Sequence, residues 1–528
     1  MNRHNICIRL LALMILFSVG CSTPPEIEPH PAQTADATAV QPPIIPTTEP
    51  TPVPAYVPAF ETAACQFTST VEADIQCGTL IVPEDRAHPE RMIRLHVAVI
   101  ASRSSNPAPD PVVYLNGGPG AHTLAAADYF AMQFDDILDQ RDLILFDQRG
   151  VGYSEPALDC PEIMAEKLAH LEADLDPAAE KANVRAALSA CYTRLAADGV
   201  NLSAYNSAAS AADLDDLRQV LGYETWNLLG VSYGTRLALT AMRDFDHTST
   251  IRSVILDSVF PPQVDAQAVN SGNINRSFNL MFARCIAIAA CNNAFPDLKS
   301  RFYQLVDDLN REPVTVVVTD RETRTAYRVP FNGYDLIDTL FTVMYSADQI
   351  ITLPRVLSRL EQNSTSVLSD WLSDWLHQPE YVSLGMTYSI QCAEEMPFND
   401  LAAFEVSLET VPPQLVDFIE INADDVAAIC DLWQVEAADP LETEPVRSDI
   451  PTLILSGDYD PVTPPSFAQE TAAYLDHAYT YEFEGQSHNV MASSQCGMEL
   501  AVAFLDHPDV FPDGKCLEHL YFGFVTNP

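Results

Sequence analysis

The pattern of apolar runs predicts a protein of the α/β class, built as a doubly wound, mostly parallel sheet with an inserted, mainly helical cap domain. Three observations carry that expectation. Short apolar runs ending in turn residues recur along the chain, as strands buried on both faces require. Helical periodicity fills the intervals between them. One long interval, from Val259 to Thr452, contains no further strand–helix unit of the sheet.

The first residues stand apart from this fold. Arg3 and Arg9 precede the apolar run Leu10 to Phe17, which is too short to span a bilayer, so residues 1–20 read as a signal peptide. The run ends in Ser18-Val19-Gly20-Cys21, which resembles the lipobox of bacterial lipoproteins and implies lipidation and membrane anchoring at Cys21. Ser18 stands where leucine is commoner, which leaves ordinary signal cleavage as the alternative. Residues 21–58 read as a linker: positions 22–58 hold 11 prolines and no glycine, lysine or arginine. Such a segment favours extended polyproline II and would hold the body roughly 100 Å from a membrane.

The strands follow in order. Val112–Leu115 runs into Asn116-Gly117-Gly118-Pro119-Gly120, and Leu143–Phe146 into Asp147-Gln148-Arg149-Gly150. Trp226–Leu229 leads to Gly230-Val231-Ser232-Tyr233-Gly234, and Val254–Leu256 follows. Leu453–Leu455 ends in Ser456-Gly457-Asp458-Tyr459-Asp460, and Tyr479–Phe483 leads to Gly485 and His488. Between them, Ala211–Leu221 sets Leu214, Leu217, Val220 and Leu221 on one helical face. The expected core is therefore 59–261 and 447–528, divided by a cap over 262–446 in which Pro313–Phe331 resembles a hairpin turned at Asp320–Thr323. A cap so inserted sits above the carboxyl ends of the strands, where ligands bind in open α/β sheets.

Composition narrows the partners. With Asp+Glu 73 against Lys+Arg 28 and a net charge of -45, the surface repels nucleic acid and anionic lipid. An acidic cleft would instead attract a cationic group such as a peptide amino terminus. Of 12 cysteines, Cys7 and Cys21 fall in the leader, leaving an even ten, as suits an oxidising compartment. Sequence does not determine their connectivity. The simplest pattern joins sequential neighbours: Cys65 with Cys77, Cys160 with Cys191, Cys285 with Cys291, Cys392 with Cys430, and Cys496 with Cys516. No C-x-x-C pairs occur, so neither a zinc site nor any other metal or cofactor is expected.

The chemistry centres on Gly230-Val231-Ser232-Tyr233-Gly234, a G-x-S-x-G pattern between an apolar strand and the helical stretch Thr235–Met242. Glycines flank the serine because a strand–helix turn this tight has no room for side chains. The serine hydroxyl is a poor nucleophile at neutral pH and needs a general base with an orienting acid. The α/β-hydrolase order is serine, acid, histidine, and the chain supplies Ser232, Asp460 and His488 in that order, with Asp458 the rival acid. Two N–H donors must stabilise the oxyanion: Tyr233, the residue after the nucleophile, and Gly118, with Gly117 the alternative.

NGGPG, DQRGVGYS (Asp147 to Ser154), GVSYGT, GDYDPVTPP (Gly457 to Pro465) and a terminal histidine turn together resemble the proline iminopeptidase and tripeptidyl aminopeptidase family of α/β-hydrolases. Cys77–Pro83 and Gln391-Cys392-Ala393-Glu394-Glu395 look like its secreted tripeptidyl branch. Asn116 departs from the histidine that many proline iminopeptidases carry there. The resemblance, covering about residues 63–525, implies hydrolysis through an acyl-enzyme that releases residues from peptides with a free amino terminus. It also implies that cap carboxylates bind the amine, for which Glu394 and Glu395 are the candidates. Asp147 and Arg149 are expected to brace the oxyanion loop, and Asp257 to be structural. An esterase or lipase using the same triad is the alternative. Enzymes of this fold with an aspartate nucleophile are excluded by Ser232.

Overall fold

The computed structural model describes residues 56–175 and 177–527. The signal segment, the lipidation expected at Cys21 and nearly all of the linker lie outside the described residues. Among the described residues eleven strands form: β1 (Ala59–Thr62), β2 (Ile75–Pro83), β3 (Met92–Ile100), β4 (Val112–Leu115), β5 (Leu143–Phe146), β6 (Trp226–Val231), β7 (Ile251–Asp257), β8 (Val314–Thr319), β9 (Ala326–Phe331), β10 (Thr452–Gly457) and β11 (Ala478–Phe483). Nine of them make one sheet in the order β1-β2-β3-β5-β4-β6-β7-β10-β11. From β5 to β11 every pairing is parallel. β1, β2 and β3 extend the sheet antiparallel.

Alternation explains why the parallel strands read as unbroken apolar runs. On β4, Val113 and Leu115 enter one core while Val112 and Tyr114 enter the core on the opposite face. Ile144 and Phe146 on β5 divide from Leu143 and Leu145 in the same way. Both faces are covered, so neither set of side chains can be polar. The run pattern does not reveal β1–β3. β2 carries Gly78 and Cys77, and β3 alternates Arg94 and His96 with apolar residues, which interrupts the apolar run although most of these positions are buried.

The chain leaves the sheet after β7 and returns at β10. The intervening residues are mostly helical and include β8 and β9, an antiparallel hairpin with Asp320 just past the end of β8. Many of them gather in an apolar core around Phe278, Phe302, Leu340 and Leu357, joined by Met164, Leu171 and Tyr459 from outside the interval, whereas Leu384, Tyr388, Ile429 and Trp433 pack into a core of the sheet. All five sequential cysteine pairs are disulfides. No helix among the described residues is long and apolar enough to cross a membrane.

Strand order determines where a ligand can bind. The chain crosses from β4 to β5 on one side and then to β6 on the other, so a crevice opens at the carboxyl ends of β4 and β6. The NGGPG loop and the Ser232 turn follow those two strands.

Candidate active site

Ser232 occupies the turn between β6 and the helix Tyr233–Phe245 with φ 55° and ψ -126°. A non-glycine residue held there is strained, and it persists because neighbours over-determine it. Its N–H donates to Asp257 O at 3.1 Å, and its carbonyl accepts from Thr235 N at 2.8 Å and Thr235 Oγ1 at 2.6 Å. Gly234 is required by contact, since a Cβ there would stand 1.9 Å from Leu115 O.

His488 and Asp460 meet directly, with Nδ1 2.8 Å from Oδ2. Asp460 is wholly buried, and its carboxylate also accepts from Val462 N (2.9 Å), Thr463 N (2.8 Å) and Thr463 Oγ1 (2.6 Å). Burial alone would push its pKa up. The His488 charge and these donors outweigh burial and hold it at about 2. Burial disfavours the imidazolium of His488, yet Asp460 and Asp257 more than offset this and raise its pKa above the ordinary histidine value. Tyr345 packs edge-on to the ring at 5.0 Å. Asp458, the rival acid, is turned away: it pairs with Arg284 and accepts from Gly485 N at 3.0 Å.

Asp257 anchors the histidine loop beside the serine. Its carboxylate accepts from Val490 N (2.9 Å) and Met491 N (2.8 Å), while Ser258 Oγ accepts from Asn489 N (2.8 Å). Burial pushes the Asp257 pKa up to about 6. Ser232 Oγ and His488 share no direct hydrogen bond. Such contacts are often long without substrate and tighten in the complex.

The NGGPG loop lies against the serine turn, so that a Cβ on Gly117 would stand 2.9 Å from Ser232 Cβ. Asn116 templates this loop. Its Oδ1 accepts from Gly117 N (2.9 Å) and Tyr114 OH (3.1 Å), and its Nδ2 donates to His122 O (3.1 Å). The Gly117 N–H is thereby engaged, whereas neither the Gly118 nor the Tyr233 N–H has a protein acceptor among the described residues. Asp147 braces the far end of the loop, accepting from Thr123 N (2.8 Å), Leu124 N (3.0 Å) and Tyr153 N (2.8 Å). Arg149 is directed elsewhere: fully buried, it forms a bidentate pair with Asp213 at 2.7 and 2.8 Å.

Ser232, Tyr233 and Gly118 line one cleft, continuous with solvent, together with Phe260, Gln267, Asn270, Gln391 and Glu395. Gln267 and Asn270 carry no sequence signal that would single them out, whereas Gln391 opens the segment Gln391–Glu395 that carries the family resemblance. The adjacent glutamates part company. Glu394 is 1% exposed and lies outside the cleft; it accepts from Ser207 N (2.6 Å) and Ser207 Oγ (2.8 Å) and pairs with Arg236 at 3.2 Å. Glu395 lines the cleft, and its carboxylate has no hydrogen-bond or ion-pair partner among the described residues. Burial pushes its pKa up to about 7, against the opposing pull of Arg236. Glu322, His377 and Glu380 gather potential metal-ligand atoms within 4.8 Å of one another, but none of them lines the cleft.

A nine-stranded, mostly parallel sheet with a serine turn at its crevice defines a hydrolase class, and the comparison with known families agrees. Residues 110–494 match the family described as alpha/beta hydrolase fold, and the chain belongs to that family. Among curated proteins it is 24% identical over 462 residues to "Serine protease Hip1" of Mycobacterium tuberculosis, covering 83% of this chain and 87% of that protein. It is 32% identical over 202 residues to "Tripeptidyl aminopeptidase" of Streptomyces lividans, covering 36% of each chain. It is 26% identical over 444 residues to "Carboxylesterase B" of Mycobacterium tuberculosis, covering 80% of this chain and 82% of that protein.

Proposed function

We propose that the protein is an extracytoplasmic serine aminopeptidase, anchored through Cys21, that releases N-terminal residues or short peptides through an acyl-enzyme. One observation carries the reading: the unpartnered Glu395 carboxylate shares a cleft with Ser232, beside a buried Asp460–His488 pair. A carboxylate raised to about 7 by burial gains from a cationic partner, and a substrate ammonium is one. Glu394 would serve by holding Arg236 behind it. The aligned serine protease and tripeptidyl aminopeptidase relatives support peptide as the substrate. Five disulfides support an oxidising compartment. The apolar core that gathers most buried residues from Ile274 to Leu376 supports treating the insertion between β7 and β10 as a cap.

In this mechanism Glu395 holds the substrate amine while Ser232 Oγ attacks the scissile carbonyl. His488 Nε2 takes the serine proton, and Asp460 keeps Nδ1 protonated and stabilises the imidazolium. The oxyanion accepts from Tyr233 N–H and Gly118 N–H, which have no other acceptor. Collapse expels the leaving amine with the proton from His488. Water, deprotonated by the same histidine, then hydrolyses the acyl-enzyme.

Aminoacyl and tripeptidyl arylamides, their amino-acetylated forms and short esters would be offered to the purified protein. Preferential cleavage of the free-amine peptides is expected, and equal rates on the acetylated ones would overturn the aminopeptidase reading. The carboxylesterase relative favours a second reading, ester hydrolysis by the same residues. Turnover of esters alone would select it.

A further inference from the structure

The NGGPG loop is held from outside the sheet. Four consecutive points of it are stitched to residues 381–387. Pro119 O accepts from Thr387 Oγ1 at 2.6 Å, and Gly120 O accepts from Ser383 N at 2.8 Å. Ala121 forms a β-bridge with Val382, and His122 N donates to Tyr381 O at 3.0 Å. The fit is close at Gly120, where a Cβ would stand 2.6 Å from Ser383 O.

Thr387 lies on the buried helix Leu384–Ile390, which continues without a break into the π-helical turn Gln391–Glu395. Isolated π-turns recur at functional sites because they re-aim side chains. This one brings Gln391 and Glu395 to the cleft. A disulfide from Cys392 to Cys430 fastens the turn. One short element thus grips the peptide unit next to Gly118 at one end and presents Glu395 at the other.

We propose that Thr387 is a positioning residue for the oxyanion loop, fixing the Pro119–Gly120 peptide so that the Gly118 N–H points at the reacting oxygen, and that it links this loop to the Glu395 turn. The proposal rests on Gly118 being the second oxyanion donor. An amine drawn to Glu395 loads the same helix that orients the donor, so amine binding raises kcat as well as lowering KM. A small loss of alignment matters because donor geometry, more than donor number, stabilises the developing charge.

The test compares Thr387→Val with Thr387→Ser in the otherwise intact protein, using p-nitrophenyl acetate, a free-amine arylamide and a fluorophosphonate. Valine keeps the volume and removes the donor, and serine restores it. Expected for T387V are about a 10-fold lower kcat on the ester, an equal fall in fluorophosphonate inactivation rate, and a Tm lowered by only a few degrees, as one lost buried hydrogen bond implies. The kcat advantage of the free-amine peptide over its acetylated form should shrink in T387V, and T387S should resemble the parent on every measure. Parental ester kcat in T387V would overturn the proposal. So would equal losses of activity and Tm in both variants, which mark a packing residue. Failure of the aminopeptidase reading would show separately, as equal cleavage of free and acetylated peptides by the parent protein, and would leave the ester and fluorophosphonate arms intact.

Discussion

The floor of the cleft and its roof are held by different means. The floor consists of strand ends, where Ser232, Asp257 and the turn after β10 are locked by backbone hydrogen bonds and glycine contacts. The roof consists of helices held mainly by side chains, through the Glu394–Arg236 pair, the Cys392–Cys430 disulfide and Arg276 reaching down to the carbonyls of Asp458 and Asp460, with a backbone join to the floor only where residues 381–383 meet Gly120–His122. A backbone lattice suits reacting groups that tolerate no displacement. Side-chain anchoring leaves room for a different ligand group with few changes. On this view the floor carries the reaction and the roof selects the substrate, and substitutions in each should separate the two.

The largest effect belongs to the floor. Ser232→Ala should lower kcat by about 10⁶-fold on peptide and ester alike, as deletion of a nucleophile does elsewhere. Undiminished turnover would sink the mechanism. Asp460→Asn should lower kcat by about 10⁴-fold by selecting the wrong histidine tautomer. Asp458→Asn, two residues away, should change kcat little, because its carboxylate serves Arg284. Steady-state kinetics on one ester substrate distinguishes the two aspartates.

The glutamate pair tests the roof. Glu395→Gln should lower kcat/KM by about 10–100-fold on free-amine peptides, the scale of a lost charged hydrogen bond, and leave esters unaffected. Glu394→Gln should act differently. It leaves Arg236 buried without its countercharge, so it should cost about 3 kcal/mol of stability in denaturant melts and affect both substrate types equally.

Acidity distinguishes floor from roof by shape. With ester, kcat/KM should rise once, as His488 loses its proton above the ordinary histidine range. With a free-amine peptide, ionisation of Glu395 near 7 should steepen that rise, and loss of the α-amino proton near ~8 should bring a fall. A pH profile of E395Q on peptide that still matched the parent would break the distinction. Among the roof variants, the smallest kinetic change is expected from Cys392→Ala/Cys430→Ala. Removing this link should cost about 3–4 kcal/mol of stability and raise KM for peptides more than for esters.

Much of the floor was legible in the sequence because its signals are local. Buried parallel strands leave apolar runs, and a tight strand–helix turn demands glycine on both sides of Ser232. The N-terminal strands β1–β3 were not legible, since β1 is short and largely exposed and the runs of β2 and β3 are interrupted by Gly78, Arg94 and His96. Arg149 was expected to brace the oxyanion loop and instead pairs with Asp213, because the side chain's reach past its own turn is not encoded locally. The grip of Thr387 on Pro119 joins residues 268 positions apart, and nothing in either segment announces it.

The sequence by itself determined the α/β class, the order of serine, aspartate and histidine along the sheet, and the cysteines available for pairing. Only the tertiary structure decided between near neighbours: Asp460 and not Asp458 on His488, Gly117 engaged and Gly118 free, Glu394 buried on Arg236 and Glu395 open to the cleft. The reason is geometric. Periodicity and turn chemistry specify where an element runs, whereas residues one or two apart in a turn point in opposite directions, and their partners come from other segments, 28 positions away for Asp460 on His488 and 187 for Glu394 on Ser207.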